Sequence, residues 1–301
     1  MTIDGILNLD KPRGKTSFGV VALVRRLSGE RRVGHAGTLD PDATGVLPVC
    51  LGQGTRLIEF LAEATKIYRA EIELGIATDT YDATGKVTQR CDASLLTKEQ
   101  VETGLSSFIG FIDQTPPMYS AIKQQGIPLY RWARAGVELP RRARRVELSR
   151  LEIVDWNLPV FTLEVECSKG TYIRSLAHDL GQKLGCGAHL RSLVRLKSGP
   201  FHISDAVSIS KLEDAFRQGH CAELIHPIDV AVLHLPAIIV DEENEKAVIN
   251  GRPLALTQGT EVSEKICRAY ARDGRFIAIL RYDEDRGYWK PEKVFRKRDE
   301  T

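Results

Sequence analysis

Gly37-Thr38-Leu39-Asp40-Pro41-Asp42-Ala43-Thr44-Gly45-Val46-Leu47-Pro48 lies between a basic helix pattern and an apolar run, and it holds a carboxylate in a Gly/Pro-rich loop. Asp before Pro commonly starts a turn. The neighbours of Asp40 ask for more than a turn. Thr38 and Thr44 can hydrogen-bond the loop, and Gly34, Gly37 and Gly45 permit tight backbone paths. Leu39 and Val46-Leu47 can anchor both sides in a core. The stretch reads as an acid held rigidly at a surface cleft.

Working outward, Ile3 to Leu9 predicts a strand that Lys11-Pro12 ends. A helix follows, with Thr16 or Ser17 as N-cap and Val20, Val24 and Leu27 on one face. Residues 28–45 are expected to be a long loop, and Val46 to Leu51 a short strand. Thr55 is expected to cap a helix reaching Glu63. Lys66 to Leu74 alternates, with Tyr68, Ala70, Ile72 and Leu74 on one side. Thr97-Lys-Glu-Gln100 is a capping box. Phe161, Leu163, Val165 and Cys167 alternate with polar residues, and a helix is expected from about Thr171 to Lys183. Strands and helices mix without regular βαβ alternation, which predicts an α+β fold with a mixed or antiparallel sheet. Pro227 and Pro236 flank a boundary, dividing the chain into residues 1–230 and 236–301. The second part shows short strand patterns punctuated by Gly251, Gly259, Gly274 and Gly287, a small β-rich module.

The 301 residues are 43% hydrophobic, enough for a sizeable core. No apolar run is long enough for a membrane span, and the N-terminus lacks a signal-peptide pattern. Six scattered cysteines without a Cys-x-x-Cys pair argue against a zinc site or a disulfide scaffold, and fit a reducing cytoplasm. The net charge of +2 conceals segregation: residues 11–32 carry +6, residues 123–150 carry +6 and residues 169–197 carry +5, leaving −15 on the rest. If the three segments converge, they form a track for phosphates.

Several residues have the chemistry for a site. His35 lies five positions before Asp40, and Tyr68 lies on the alternating strand. Ser168-Lys-Gly-Thr-Tyr172-Ile-Arg174-Ser-Leu176 joins a strand to a helix start. Arg174 is electrostatically out of place in a first helical turn, which suggests that a carboxylate elsewhere holds it. Arg141, Arg142, Arg144 and Arg145 form a dense basic run, with Tyr130 and Trp132 nearby to favour nucleic acid.

The Asp40 string as a whole resembles the catalytic loop of the TruB family of pseudouridine synthases, which modify tRNA. Three further strings are similar to family segments: Lys11-Pro-Arg-Gly-Lys15-Thr-Ser17, Pro116-Pro-Met-Tyr-Ser-Ala-Ile-Lys123 and the Ser168–Leu176 stretch. The last of the chain, Tyr288 to Phe295, looks like the closing strand of a PUA domain, a small RNA-binding β-barrel. The resemblance implies that Asp40 is the catalytic carboxylate, that Arg174 pairs with it, and that Tyr68 lines the site against the target uracil. It implies that His35, with a partly cationic ring, holds the target nucleotide out of its stack, and that Tyr172 and Leu193 contact the uracil. It implies an RNA-gripping insertion over about residues 124–152, with a short helix at 129–136. Lys11, Lys15, Arg141, Arg142, Arg144 and Arg145 are the candidate phosphate contacts.

The implied reaction is isomerisation of uridine 55 in the tRNA T-loop by a cytoplasmic monomer needing no cofactor, no metal and no protein partner. Asp40 could attack the sugar C1′, add to ring C6, or remove a proton from C2′; the sequence leaves these open. The alternatives are a guide-RNA-dependent relative acting on ribosomal RNA, and a tRNA-folding chaperone. The chaperone would use the basic segments but not the Asp40 loop. A metal-dependent nuclease would need clustered carboxylates or histidines, and the seven histidines are dispersed.

Overall fold

The computed structural model describes residues 3–254 and 265–296; Gly259 and residues 297–301, which belong to the expected second module, lie outside them. The fold is α+β. Its centre is a mixed, mostly antiparallel sheet of eleven strands, several of them two or three residues long. The long ones are β1 (Gly5–Lys11), β2 (Thr44–Leu51), β3 (Lys66–Leu74), β4 (Gly110–Gln114), β5 (Arg144–Asn157), β6 (Val160–Cys167) and β7 (Ala188–Ser198). Across the sheet they run β1-β2-β7-β3-β6-β5-β4. β2 and β7 meet in parallel, with Val194 opposite Thr44 and Arg195 opposite Gly45, whereas β7, β3, β6, β5 and β4 are antiparallel neighbours.

Alternation decides the two faces of this sheet. On β3, Tyr68, Ala70, Ile72 and Leu74 face inward, with Leu163 and Val165 of β6 opposite Ala70 and Tyr68. Two helices cover that face: α2 (Lys98–Ser106), opened by the Thr97–Gln100 capping box, and α3 (Ile173–Lys183). A third helix, α1 (Ser17–Ser28), lays Val20, Val21 and Val24 against Leu7, Leu9 and Leu47. Thr16 is its N-cap, accepting from Gly19 N at 2.9 Å.

Three local expectations are corrected. Within the expected loop 28–45, Val33–His35 is a strand, because its backbone finds partners along β2. Thr55 is no helix cap: it sits inside the 3₁₀ turn Gly52–Leu57 and donates its hydroxyl back to Gly52 O at 2.7 Å. Only the first part of the expected insertion stands apart from the sheet, as the Lys123–Pro128 hairpin and the Leu129–Arg134 helix. From Arg144 onward the chain is a strand of the central sheet, bonded to β4 and β6.

Among the described residues, the C-terminal part is a four-stranded sheet in the order Ala237–Val240, Ile266–Ala271, Phe276–Asp283, Tyr288–Val294, with the helix Glu242–Ile249 packed on it. It is not a bead on a linker. Ile279 and Phe295 share an apolar cluster with Ile6, Val46 and Leu57, and Tyr270 donates to Asp229 at 2.7 Å. Among the described residues no helix is long and apolar enough to cross a membrane.

Candidate active site

The Asp40 loop is held from below by side chains of other elements. Ser17, at the start of α1, donates to Leu39 O at 3.1 Å and accepts from Leu39 N at 2.9 Å. Lys11 is wholly buried, and its ammonium donates to Pro12 O, Lys15 O and Pro41 O at 3.1, 2.7 and 3.0 Å. Arg195 is also buried; Nε donates to Val46 O at 2.6 Å and Nη2 to Gly37 O at 3.1 Å. Leu39 and Ala43 sink into the core. Gly45 has φ +99°, and a Cβ there would lie 2.3 Å from Arg195 O, so only glycine lets β2 approach β7 this closely. The tethers thus come from Ser17, Lys11 and Arg195 rather than from the threonines expected to serve.

The loop delivers Asp40 to Arg174. Arg174 Nε lies 3.0 Å from Asp40 Oδ2 and Nη2 lies 3.2 Å from Oδ1, a two-armed fork on one carboxylate. The guanidinium is itself fixed: Nη2 donates to Tyr119 O at 2.9 Å, Nη1 to Thr80 O at 3.5 Å, and Asp82 Oδ2 is 3.7 Å from Nη1. Arg174 is buried, while the Asp40 side chain keeps 45% of its exposure. The carboxylate is therefore gripped through both oxygens while the group stays partly open to solvent. Loss of bulk water pushes the Asp40 carboxyl above its ordinary value; the Arg174 charge opposes that rise, and Asp82 adds to it.

Of the other candidates, Tyr68 and Tyr172 lie within the field of Asp40. Tyr68 is buried on β3 between Val165 and Arg195 of the flanking strands. Burial raises its phenol pKa, so it is neutral at physiological pH and unsuited to removing protons. Leu193 faces Ala70 on the inward side, two residues before Arg195. Tyr172 directly precedes α3, its phenol raised by burial and within the field of Asp40.

His35 ends the short strand beside β2, partly exposed. Burial and the Arg195 charge lower its pKa, so the ring is neutral and not the partly cationic one expected. Its buried Nδ1 has no partner within the described residues.

The expected phosphate contacts divide. Lys11 cannot reach a phosphate, because its ammonium is spent on three carbonyls inside the fold. Arg174 and Arg195, two of the six cations of the third basic segment, are likewise internal. Arg141 is bonded to Pro116 O and Glu138, both at 3.1 Å. Lys15, Arg142, Arg144 and Arg145 are exposed. Arg144 pairs in register with Gln114 and Arg145 with Asp113, so the two side chains leave opposite faces of β5. Arg144 is on the Tyr172 side, and Arg145 lies over the Phe111 ring at 5.0 Å.

Sequence reading missed Arg195, Ser17 and Asp82. Arg195 stands two positions from Leu193, and only once β7 is placed does that spacing put the two on one face.

A carboxylate forked by a buried arginine, with two tyrosines in its field, thus sits at the parallel seam of a mixed sheet. Comparison with known proteins gives the family. The description "TruB family pseudouridylate synthase (N terminal domain)" matches residues 25–173, and "tRNA pseudouridylate synthase B C-terminal domain" matches residues 174–233. Proteins named tRNA pseudouridine synthase B are similar over nearly their whole length. One from Dehalococcoides mccartyi is 45% identical over 97% of each chain, and one from Geobacter sulfurreducens 43% over 95% of each. Among solved structures, a Cbf5-Nop10-Gar1 complex matches with a TM-score of 0.76 and 29% identity, over 98% of this chain and 86% of the other. An H/ACA RNP bound to a substrate RNA containing 2′-deoxyuridine matches with a TM-score of 0.74 and 26% identity, over 98% and 86%. The chain belongs to the TruB family of pseudouridylate synthases.

Proposed function

We propose that this protein isomerises uridine 55 in the T-loop of tRNA to pseudouridine, with Asp40 as the acting carboxylate. The N1–C1′ bond breaks, the uracil turns within the site, and a C5–C1′ bond forms; the proton leaves C5 and N1 gains one. The reaction is an isomerisation and leaves nothing to oxidise or reduce. The single observation that carries the reading is the fork of Arg174 on a partly exposed Asp40, presented by a loop tethered by three buried side chains.

In this reading Arg174 keeps the carboxylate ionised and pointed, since a guanidinium within hydrogen-bond reach favours the charged form. Tyr68, neutral and flat, stacks on the uracil, and Leu193 and Tyr172 fill the remaining sides. The target base must leave its stack to enter, and His35, neutral at the cleft edge, packs into the space it vacates. The relatives named tRNA pseudouridine synthase B support tRNA as the substrate. The protein acts as a monomer in the cytoplasm. The C-terminal sheet is a PUA-like module that adds a second contact to the tRNA. The hairpin and helix of residues 123–134 grip the T-arm, with Lys15, Arg142 and Arg144 taking phosphates.

The test is incubation of unmodified tRNA with the protein, followed by mapping of pseudouridine at single-nucleotide resolution. Conversion confined to uridine 55 supports the reading. Conversion only in the presence of an added guide RNA, or tRNA refolding without conversion, refutes it.

A further inference from the structure

Gln114, the last residue of β4, is buried at 2% exposure. Its amide closes a two-bond ring on the main chain of Tyr172. Nε2 donates to Tyr172 O at 3.0 Å, and Tyr172 N–H donates to Oε1 at 2.7 Å. Tyr172 is the residue from which α3 starts, and no side chain of its own caps the helix there. A buried amide costs desolvation that an apolar side chain of similar volume avoids. What the amide supplies in return is orientation, because two opposed hydrogen bonds fix both the height and the tilt of a peptide unit.

The residues beside Gln114 hold the rest of the same helix start. Ser175 Oγ donates to Thr115 O at 2.8 Å, and Arg174 Nη2 donates to Tyr119 O at 2.9 Å. Three residues at the head of α3 are therefore registered against one segment, Gln114 to Tyr119. That segment runs straight into the hairpin–helix unit, where Tyr130 N donates to Ser120 O at 3.1 Å and Leu129 N to Ile122 O at 2.8 Å. The chain that would grip RNA and the chain that aims Arg174 are consecutive.

We infer that Gln114 is a positioning residue for the reaction: it fixes the backbone of Tyr172, and through it the ring that lines the uracil site. The inference rests on the functional reading above and goes beyond it by naming a residue remote from the uracil. Gln114 does not touch substrate; its amide bonds main-chain atoms of Tyr172, not the ring.

The experiment is single-turnover pseudouridine formation on unmodified tRNA across a range of enzyme concentration. Gln114→Met removes both bonds at nearly constant volume. The maximal rate should fall by about 10- to 100-fold, the scale of a misplacement near 1 Å. The half-saturating concentration should stay within about threefold, since no RNA contact is lost. A double-mutant cycle with Tyr172→Ala separates positioning from general support. With the ring gone there is nothing left to position, so Gln114→Met in that background should change the rate by less than about threefold.

Losses that multiply in the double variant would overturn the inference, as would a maximal rate unchanged in Gln114→Met. Gln114→Asn, one methylene shorter, keeps an amide but cannot close both bonds; its rate should fall between the two, and it carries the same cycle if the Met variant does not fold. No turnover by the unaltered protein would overturn the functional reading, and this inference with it. Turnover by the unaltered protein beside an unaffected Met variant overturns the inference alone.

Discussion

Replacing Arg174 by lysine keeps the charge and removes the shape. The guanidinium makes two contacts to Asp40 at 3.0 and 3.2 Å and donates to Tyr119 O at 2.9 Å. An ammonium at the same depth can meet one Asp40 oxygen. It loses the second arm of the fork and the Tyr119 anchor together. Hydrogen bonds involving a charged group are worth about 1.5–3 kcal/mol each. Two are lost, but the Asp40 side chain is 45% exposed, so water replaces part of what its freed oxygen gives up. A net cost of about 3 kcal/mol to the reacting geometry remains, or roughly 100-fold in rate. The assay is the maximal single-turnover rate on unmodified tRNA, beside equilibrium binding of the same tRNA. Binding should hold within about threefold, because Arg174 is buried beneath the carboxylate and offers nothing to a phosphate. Arg174→Met adds a pH test. Without the neighbouring cation the Asp40 anion is less favoured, its pKa rises further, and the acid limb of the rate profile moves to higher pH. A Lys variant with a near-normal maximal rate, or a Met variant with an unmoved acid limb, would refute the role given to the fork.

Asp40→Asn should abolish pseudouridine formation while tRNA binding stays within about tenfold, roughly 1.4 kcal/mol, as read by filter binding and nucleotide mapping. Lys11→Met should destabilise the fold by about 2–4 kcal/mol in urea unfolding, because three carbonyls lose their donor. Burial lowers Lys11 from 10.5 to about 8, so between those values the unfolded chain binds a proton that the folded one has released. The stability of the unaltered protein relative to the Met variant should therefore rise as pH climbs from about 8 towards 10.5, and a fall across that window would contradict the burial argument. Arg144→Glu should weaken tRNA binding by about tenfold and flatten its salt dependence, whereas Arg145→Glu, on the other face of β5, should change affinity by less than about threefold.

The fold was legible where periodicity is local. Tyr68, Ala70, Ile72 and Leu74 announced a half-buried strand, and Thr97 with Gln100 announced a helix start, because a period of two and a capping box are written within a few residues. It was not legible where a partner distant in sequence decides. Val33–His35 became a strand because β2 was there to pair with it, and Thr55 turned its hydroxyl inward within a 3₁₀ turn. The site divided in the same way. Asp40 stood out through the density of turn formers around it, and Arg174 through its misplacement against a helix dipole. Lys11 and Arg195 carry the charge of surface residues and the burial of core ones. Nothing adjacent to them says that each will meet main-chain carbonyls some thirty to 158 residues away.

The segregation of charge takes its meaning from this division. Lys11, Arg174 and Arg195, from two of the basic segments, meet at the Asp40 loop, where they are consumed internally, holding the loop and its carboxylate. The compensating acids are placed where they do not interfere. On the open face of the sheet, away from Tyr68, stand Glu71 and Glu73 of β3, Glu164 and Glu166 of β6 and Glu152 of β5, relieved by Arg69 and Arg150. Arg69 meets Glu164 at 2.7 Å and Arg150 meets Glu152 at 2.6 Å, which ties those arginines to the acids and leaves the face negative. A polyanion approaching this sheet is repelled from one side and admitted on the other. Strand alternation is what makes the sorting sharp: a single residue step along β5 separates Arg144, on the Tyr172 side, from Arg145, on the acidic face. A one-residue slip in the β5 register would exchange them, and with them the face on which each charge stands.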